Sequence, residues 1–177
     1  MTGSVLPLLF LDVDGPLIPF GAPPPGGHPE FPGPTGGNPL VARVDPGLGP
    51  RLLRLPCELV WATTWLTDAD ACLAPRLGLP HLPYVDWPVT DEPDQPDQPG
   101  VPNGGTGGGA QLHWKTRTLV ARAGGRPFAW VDDEITPADR RWVRAHSPAP
   151  ALLHRVDPQV GLTGTDFAAL DAWLRTV

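Results

Sequence analysis

The 177-residue chain is poor in cysteine and contains no long apolar run. Its two cysteines, Cys57 and Cys72, are too few for a disulfide framework, and their spacing matches no zinc motif. We therefore expect two reduced thiols in a cytoplasmic protein. No positively charged region precedes the first apolar run, which Asp12 interrupts, so the N-terminus lacks the pattern of a signal peptide. No stretch is long enough to span a bilayer, and we expect no membrane partner.

Basic residues are also scarce relative to acids. Lysine and arginine total 13 against 19 aspartates and glutamates, which gives a formal charge of -6 and a pI of about 5.2. No long basic stretch is present, so the balance gives no support to nucleic-acid binding, although a local basic patch is compatible with it. The single lysine among many Pro, Gly, Ala and Arg residues is typical of a GC-rich bacterial genome.

Proline and glycine, by contrast, are abundant, with 26 and 21 residues respectively. They concentrate in two segments, for which we predict irregular loops at about residues 18–45 and 88–110. The second segment is acidic and contains the run GGTGGG, which no Lys-Ser/Thr pair follows, so a linker is favoured over a phosphate-binding loop. The remaining residues suffice for one domain spanning 1–177.

Short apolar runs alternate with helical patterns in the rest of the chain. Strands are predicted at Leu6–Leu11, Glu58–Thr63, His81–Trp87, Arg126–Val131 and Ala151–Val156. Two helices are predicted at Pro46–Leu55 and His113–Ala123, and a third after the capping box of Thr67 and Asp70. A fourth is predicted to start at Thr136 as the N-cap, with Pro137 at the first helical position and Asp139 at the third, and a last helix to start at Thr165 or Asp166. This alternation predicts an α/β fold with a three-layer, Rossmann-like parallel sheet and helices on both faces.

Polar side chains follow three of these predicted strands. They are Asp12 and Asp14 after the first, Thr63 and Thr64 at the end of the second, and Asp132 and Asp133 after the fourth. Ligands of such sheets bind at the carboxyl ends of the strands, and a helix beginning near Lys115 would bring an ammonium group there. Carboxylates hold Mg²⁺, and a carboxylate can also attack phosphorus while a second acid moves the proton. The set therefore predicts metal-assisted phosphoryl transfer.

Four stretches, LLFLDVDGPL, LVWATTW, HWKTRTLV and FAWVDDE, carry these residues. They resemble, in the same order, the four motifs of the haloacid dehalogenase-like (HAD) phosphohydrolase superfamily, over about residues 5–175. The resemblance implies that Asp12 is the nucleophile and Asp14 the acid/base. It further implies that Thr63, with Thr64 as the alternative, and Lys115 bind the phosphoryl group.

The same resemblance implies a Mg²⁺ ion as cofactor. Asp12 and Asp132 would bind it through their side chains and Asp14 through its backbone carbonyl. Asp133 would be their partner or a water-mediated ligand. The chain departs from the family pattern at Pro16, where a threonine is usual, and this departure affects the local turn more than the chemistry.

The resemblance favours a Mg²⁺-dependent phosphatase that hydrolyses a phosphate monoester through an aspartyl-phosphate intermediate. Dehalogenase and phosphonate-cleaving branches typically lack an acid at the position of Asp14. Neither Pro/Gly-rich segment has the periodicity of a folded cap domain, so the site is predicted to be open. The substrate would be a phosphorylated small molecule or a macromolecular end. LVWATTW followed by a helix is also similar to small HAD domains linked to RNA repair, although the net charge gives nucleic acid no support.

Two alternatives remain open from the sequence. One is a non-catalytic binding module that keeps the fold and engages partners through its Pro-rich loops. The other is a metal-dependent nucleic-acid phosphoesterase that uses metal-bound water without a covalent intermediate. Trp65, Trp87 and Trp114 adjoin the predicted site loops, and their indole rings suit either stacking on a base or sugar or, more commonly, packing of the loops.

Overall fold

Four parallel strands form one sheet in the computed structural model, which describes residues 5–27, 39–88 and 111–177. The strands are β1 (Leu8–Leu11), β2 (Glu58–Trp61), β3 (Phe128–Asp132) and β4 (Ala151–Arg155). Their order across the sheet is β2-β1-β3-β4, with β1 paired to both β2 and β3. The strand that carries the first acidic motif is therefore central.

Side chains of β1 alternate between two separate apolar clusters. Leu9 and Leu11 pack into one cluster, and Leu8 and Phe10 pack into the other. A strand buried on both faces reads as a continuous apolar run, because successive side chains point to opposite sides and both sides are covered. This accounts for the uninterrupted LLFL sequence of β1.

Helices cover both faces of the sheet. They are α1 (Leu48–Leu52), α2 (Ala74–Leu77), α3 (Lys115–Ala123), α4 (Pro137–His146) and α5 (Gly164–Leu174). A π-helical segment, Ala69–Leu73, leads directly into α2. The apolar residues of α1, α2 and α5 lie in one cluster, and those of α3 and α4 lie in the other. The predicted three-layer, Rossmann-like α/β fold is confirmed.

The starts of α4 and α5 are fixed by capping boxes. Thr136 and Asp139 exchange hydrogen bonds at the start of α4, as the sequence predicts. Thr163 and Asp166 do the same at the start of α5. The predicted start of α5 at Thr165 or Asp166 is therefore too late, because Asp166 is the third helical residue and Thr163 is the cap.

The segment His81–Trp87, predicted as a strand, forms only a single bridge between Trp61 and Tyr84. Prolines at positions 80, 83 and 88 remove N–H donors that a continuous ladder needs, which explains why pairing does not extend. The bridge nevertheless attaches this segment to β2 at the edge of the sheet.

The first predicted loop, at about residues 18–45, is partly wrong. Pro39–Arg43 forms a 3-10 helix, and Val41 and Val44 are buried in the core. These two valines lie close to the Pro/Gly-rich stretch but have the apolar surface that stabilises an ordered segment. Residues 28–38 of this loop and residues 89–110 of the second lie outside the described residues, so the capless interpretation stays a prediction. No helix in the described part of the chain has the length and apolar character needed to cross a bilayer.

Candidate active site

An ammonium group and two carboxylates meet at the carboxyl edge of the sheet. Asp12 directly follows β1, and Asp132 is the last residue of the adjacent strand β3. Lys115 Nζ lies 3.0 Å from Asp12 Oδ2 and 2.8 Å from Asp132 Oδ2. The three residues are only 7%, 4% and 0% exposed for Asp12, Lys115 and Asp132 respectively. The structure thus brings together three of the sequence-predicted site residues.

The Asp132 carboxylate is held in one orientation by three donors. Its Oδ2 accepts from Lys115 Nζ and from Trp130 Nε1, the latter at 3.1 Å, and its Oδ1 accepts from the backbone N–H of Glu134 at 2.9 Å. Such bonds fix a carboxylate that is to bind a cation. Trp130 is a core residue, but its indole N–H also belongs to the site.

Asp133 lies against the loop that follows β1. Gly15 in that loop has a φ of +84°, and a Cβ atom there would come within 2.7 Å of Asp133 Cγ. Glycine is thus needed twice, for its backbone conformation and for the close approach. The Asp-Gly step after β1 brings the first loop into contact with the acidic pair after β3.

Carboxylate oxygens of Asp12, Asp132 and Asp133 lie within 4.8 Å of one another. An all-oxygen donor set suits a hard cation such as Mg²⁺. When ionised, these three groups and the Lys115 ammonium leave a formal charge of -2, which a divalent cation would neutralise. The residues present therefore fit the predicted Mg²⁺ ion. The Asp14 carboxylate is not part of this group.

Burial and mutual repulsion perturb the acids of the cluster. Burial raises the pKa of Asp12 to about 8, with Asp132 adding to the rise and Lys115 opposing it. Burial also raises the pKa of Asp133 to about 6, helped by the charges of Asp132 and Glu134. Burial alone would lower the pKa of Lys115, but the two carboxylates beside it raise that pKa above its ordinary value. The lysine stays charged, and a bound cation would favour the ionised acids.

The Asp14 carboxylate has a tryptophan as its partner. Trp65 Nε1 donates to Asp14 Oδ2 at 2.9 Å, and the Trp65 backbone N–H donates to Thr63 Oγ1 at 3.3 Å. Leu66, the next residue, has a φ of +48°, a rare conformation for a residue with a side chain. Trp65 therefore contacts both the predicted acid/base and the predicted phosphoryl-binding hydroxyl. The signal for it in the sequence is its position two residues after Thr63.

The two threonines after β2 differ in exposure. Thr63 is 1% exposed, whereas Thr64 is exposed to solvent. The Thr63 carbonyl accepts from Trp87 Nε1 at 3.0 Å, and the Trp87 ring packs edge-on against Trp114, with their centroids 4.7 Å apart. Trp87 and Trp114 thus pack the loops around the site.

The start of α3 is attached to the start of α4 through Asp139. Asp139 Oδ1 accepts from the His113 backbone N–H at 2.8 Å and from Thr116 Oγ1 at 2.6 Å, in addition to the capping bonds of α4. These bonds fix the first turn of α3, where Lys115 lies. Sequence reasoning identified Asp139 as a capping residue but missed this second role.

A second group of possible ligands shares Asp132 with the first. Atoms of His113, Asp132 and Glu134 lie within 4.8 Å of one another, and His113 Nε2 is 3.1 Å from Glu134 Oε2. The His113 Nδ1 atom accepts from the Lys115 backbone N–H at 3.2 Å. Both ring nitrogens of His113 are thus engaged in hydrogen bonds, which indicates a supporting network rather than a second metal site.

Comparison with known proteins gives one finding. A model of the family described as "HAD domain in Swiss Army Knife RNA repair proteins" matches residues 8–167. The matched range contains all four strands and every residue of the carboxylate cluster. Neither the curated proteins nor the solved structures gave a significant match.

Proposed function

Because the chain belongs to the family of HAD domains in Swiss Army Knife RNA repair proteins, we propose that it is a Mg²⁺-dependent phosphatase. It hydrolyses a phosphate monoester through an aspartyl-phosphate intermediate, and the family's link to RNA repair makes a phosphorylated RNA end the favoured substrate. The observation that carries the proposal is the meeting of Asp12, Lys115 and Asp132, distant in sequence, at one edge of the sheet. Asp133 completes the set of acids.

In the first step, an Asp12 carboxylate oxygen attacks phosphorus, and the bond between phosphorus and the leaving oxygen breaks. Asp14, oriented by Trp65, gives its proton to that oxygen. Lys115 and the Thr63 hydroxyl bind phosphoryl oxygens and offset their charge. When bound at Asp12, Asp132 and Asp133, Mg²⁺ supplies further positive charge against those oxygens.

In the second step, water attacks the phosphorus of the aspartyl-phosphate. Asp14, now ionised, takes a proton from that water, and the bond between phosphorus and Asp12 breaks. Inorganic phosphate leaves, Asp12 is regenerated as a carboxylate, and Asp14 is again protonated for the next turnover. Buried Lys115 stays charged through both steps because its carboxylate neighbours favour its protonated form.

Replacement of the nucleophile tests the proposal. Asp12→Asn should lower turnover of an aryl phosphate and of a phosphorylated oligoribonucleotide at least about 10³-fold. Asp171→Asn makes the same chemical change at a partly exposed position on α5, away from the cluster, and should leave both rates within about twofold. Circular dichroism and thermal melting check that both variants are folded.

Each alternative predicts a different outcome. Turnover that persists in Asp12→Asn would remove the covalent step, and a water-based phosphoesterase would replace it. Beryllium fluoride, which mimics a phosphoryl group on a carboxylate, should be retained by the wild type with Mg²⁺ but not by Asp12→Asn. Mg²⁺ binding without activity on any phosphate monoester would favour the non-catalytic module.

A further inference from the structure

The exposed side chains of α3 and α4 differ in charge from the chain as a whole. The full sequence has a formal charge of -6, yet these two helices carry five exposed arginines. They are Arg117 and Arg122 on α3, and Arg140, Arg141 and Arg144 on α4. The one acid on either helix, Asp139, is buried and engaged in capping bonds. Within the described residues, none of the five guanidinium groups forms an ion pair with a carboxylate.

A groove lies between α4 and the segment that precedes α3. Leu112, Ala138, Arg141 and Trp142 line it, and its volume is about 320 Å³. The Arg117 guanidinium lies 5.2 Å from the centre of the Trp142 ring. Two positively charged groups therefore flank one aromatic side chain beside an open groove.

The two helices that carry the arginines begin beside the candidate active site. Arg117 lies two residues after Lys115, in the first turn of α3. The bonds from His113 and Thr116 to Asp139 hold the beginnings of α3 and α4 together. Both helices thus begin near the edge of the sheet where the carboxylates meet, and their exposed arginines lie along them.

We propose that this α3–α4 arginine face, defined by the five arginines above, binds the sugar–phosphate backbone of single-stranded RNA whose phosphorylated end enters the candidate active site. This inference rests on the proposed function. Guanidinium groups form paired hydrogen bonds with phosphate oxygens and remain charged at all physiological pH values. Because the chain as a whole is acidic, a polyanion is attracted to this face and repelled by the rest of the surface.

The test measures RNA binding by fluorescence anisotropy over a series of salt concentrations. The probe is a labelled, mixed-sequence RNA of about twelve nucleotides with hydroxyl groups at both ends, so no phosphate monoester is turned over. Arg117→Gln with Arg141→Gln should weaken binding by about tenfold or more and reduce the salt slope by about 0.7 for each lost phosphate contact. The matched control is Arg54→Gln, an exposed arginine just after α1, in the layer on the other face of the sheet, which should stay within about twofold of wild type.

Three outcomes would overturn the inference. They are no binding by the wild type at low salt, an equal loss in Arg54→Gln, and equal competition by poly-glutamate, which would indicate an acidic protein partner instead. If the Arg117→Gln change alone lowers thermal stability through its contact with Trp142, the Arg141→Gln variant carries the test. Because the probe is not a substrate, a failure of the phosphatase proposal would leave this binding result unaffected.

Discussion

A single indole N–H connects the two loops that carry the predicted acid/base and the predicted phosphoryl-binding threonine. Trp65 donates to Asp14, and its side chain comes from a loop distant in sequence from that acid. A carboxylate that moves a proton must be aimed at the leaving oxygen, and a hydrogen bond to one of its oxygens fixes the direction of the other. We therefore predict that Trp65 acts as a positioning residue for Asp14.

We predict that Trp65→Phe weakens acid assistance selectively. Loss of the N–H should lower kcat/KM about tenfold or more for an alkyl phosphate, whose leaving oxygen needs a proton. An aryl phosphate with a strongly acidic leaving group needs no such help and should change little. The measurement is the slope of log kcat/KM against leaving-group pKa, which should become steeper. Trp87→Phe, whose N–H donates to a backbone carbonyl, serves as the control; an equal fall for both substrates in Trp65→Phe would indicate a merely structural role.

Gly15 and Gly26 form a natural pair for measuring how tightly the first loop packs on Asp133. Both have left-handed φ angles, +84° and +86°, but a Cβ atom at Gly26 would meet nothing within 4 Å. Gly26→Ala should therefore cost only the backbone penalty, about 1 kcal/mol of unfolding free energy. Gly15→Ala should cost about 2–4 kcal/mol because the new methyl group collides with Asp133. Urea unfolding measures both, and equal costs would contradict the close approach.

Some residue contacts could be predicted from the sequence and others could not. Trp130 and Asp132 are two positions apart on one strand, so their side chains point the same way, and this spacing was a usable signal. Trp65 and Asp14 meet only because two separate loops fold over the same edge. No local periodicity encodes that contact, so only the folded chain shows it.

At the scale of elements, α4 and α5 begin with the same kind of capping box. Comparing the two shows how much stability comes from the cap itself and how much from contacts with other elements. Asp139 and Asp166 occupy the same position in their helices. Asp139 additionally accepts bonds from the start of α3, whereas Asp166 contacts His154 on β4. Asp139 thus connects two helices and fixes the one that carries Lys115.

Asp139→Ala should therefore be the more damaging substitution. We predict a loss of about 3 kcal/mol of unfolding free energy, against about 1 kcal/mol for Asp166→Ala, because Thr116 is buried and would lose its partner. Burial alone would raise the pKa of Asp139, but hydrogen bonds from Thr116 and Thr136 outweigh it and lower the pKa.

The Asp139 contribution is thus complete above the unfolded pKa of 3.8 and is lost as pH falls through the lower folded value. As pH is lowered below about 4, the free energy of unfolding should therefore fall less steeply in Asp139→Ala than in wild type, as measured by chemical unfolding. Equal costs for Asp139→Ala and Asp166→Ala at neutral pH would show that the connection to α3 contributes nothing.

Predictions of helices and strands were correct where a residue pattern is compatible with only one local structure. The helix α3 was predicted to end before Gly124, and Gly124 has a left-handed φ of +58° there. Thr67 and Asp70 have the spacing of a capping box, but the Asp70 carboxylate has a different partner. Asp70 instead accepts from the Leu82 backbone N–H at 2.7 Å, because the segment attached to β2 passes beside it. A tertiary contact thus replaced the local one.

At the scale of the molecule, parallel topology explains why the acidic motifs could be placed together without coordinates. The central strand β1 and its neighbour β3 run in the same direction, so the residues after each end on one edge. The net charge of the chain did not indicate the positive charge on α3 and α4, because acids elsewhere in the chain outnumber the arginines on these two helices. Net charge is a sum, whereas binding depends on where the charges lie.

We predict that the carboxylate cluster makes the stability of the whole molecule depend on Mg²⁺ and on pH. Asp12 and Asp133 have raised pKa values of about 8 and 6, so the folded state holds protons that the unfolded state has already released at its pKa of 3.8. Without Mg²⁺, the unfolding free energy should therefore fall as pH rises from about 4 to 8. Mg²⁺ at a hundred times its Kd should restore about 2.7 kcal/mol at pH 8, and less at pH 5, where protons compete for the same oxygens.

Thermal melts with MgCl₂ and with KCl at equal ionic strength measure this linkage. Asp132→Asn should reduce the Mg²⁺-dependent rise in Tm, since it removes one of the three clustered carboxylates. Asp171→Asn, with the same change of charge at a partly exposed position on α5, should keep the full rise. A rise that is equal in KCl, or that survives in Asp132→Asn, would mean that the ion acts on the general charge of the molecule. A rise confined to Mg²⁺ and to an intact cluster would mean that folding itself creates the cation site from acids that are far apart in the sequence.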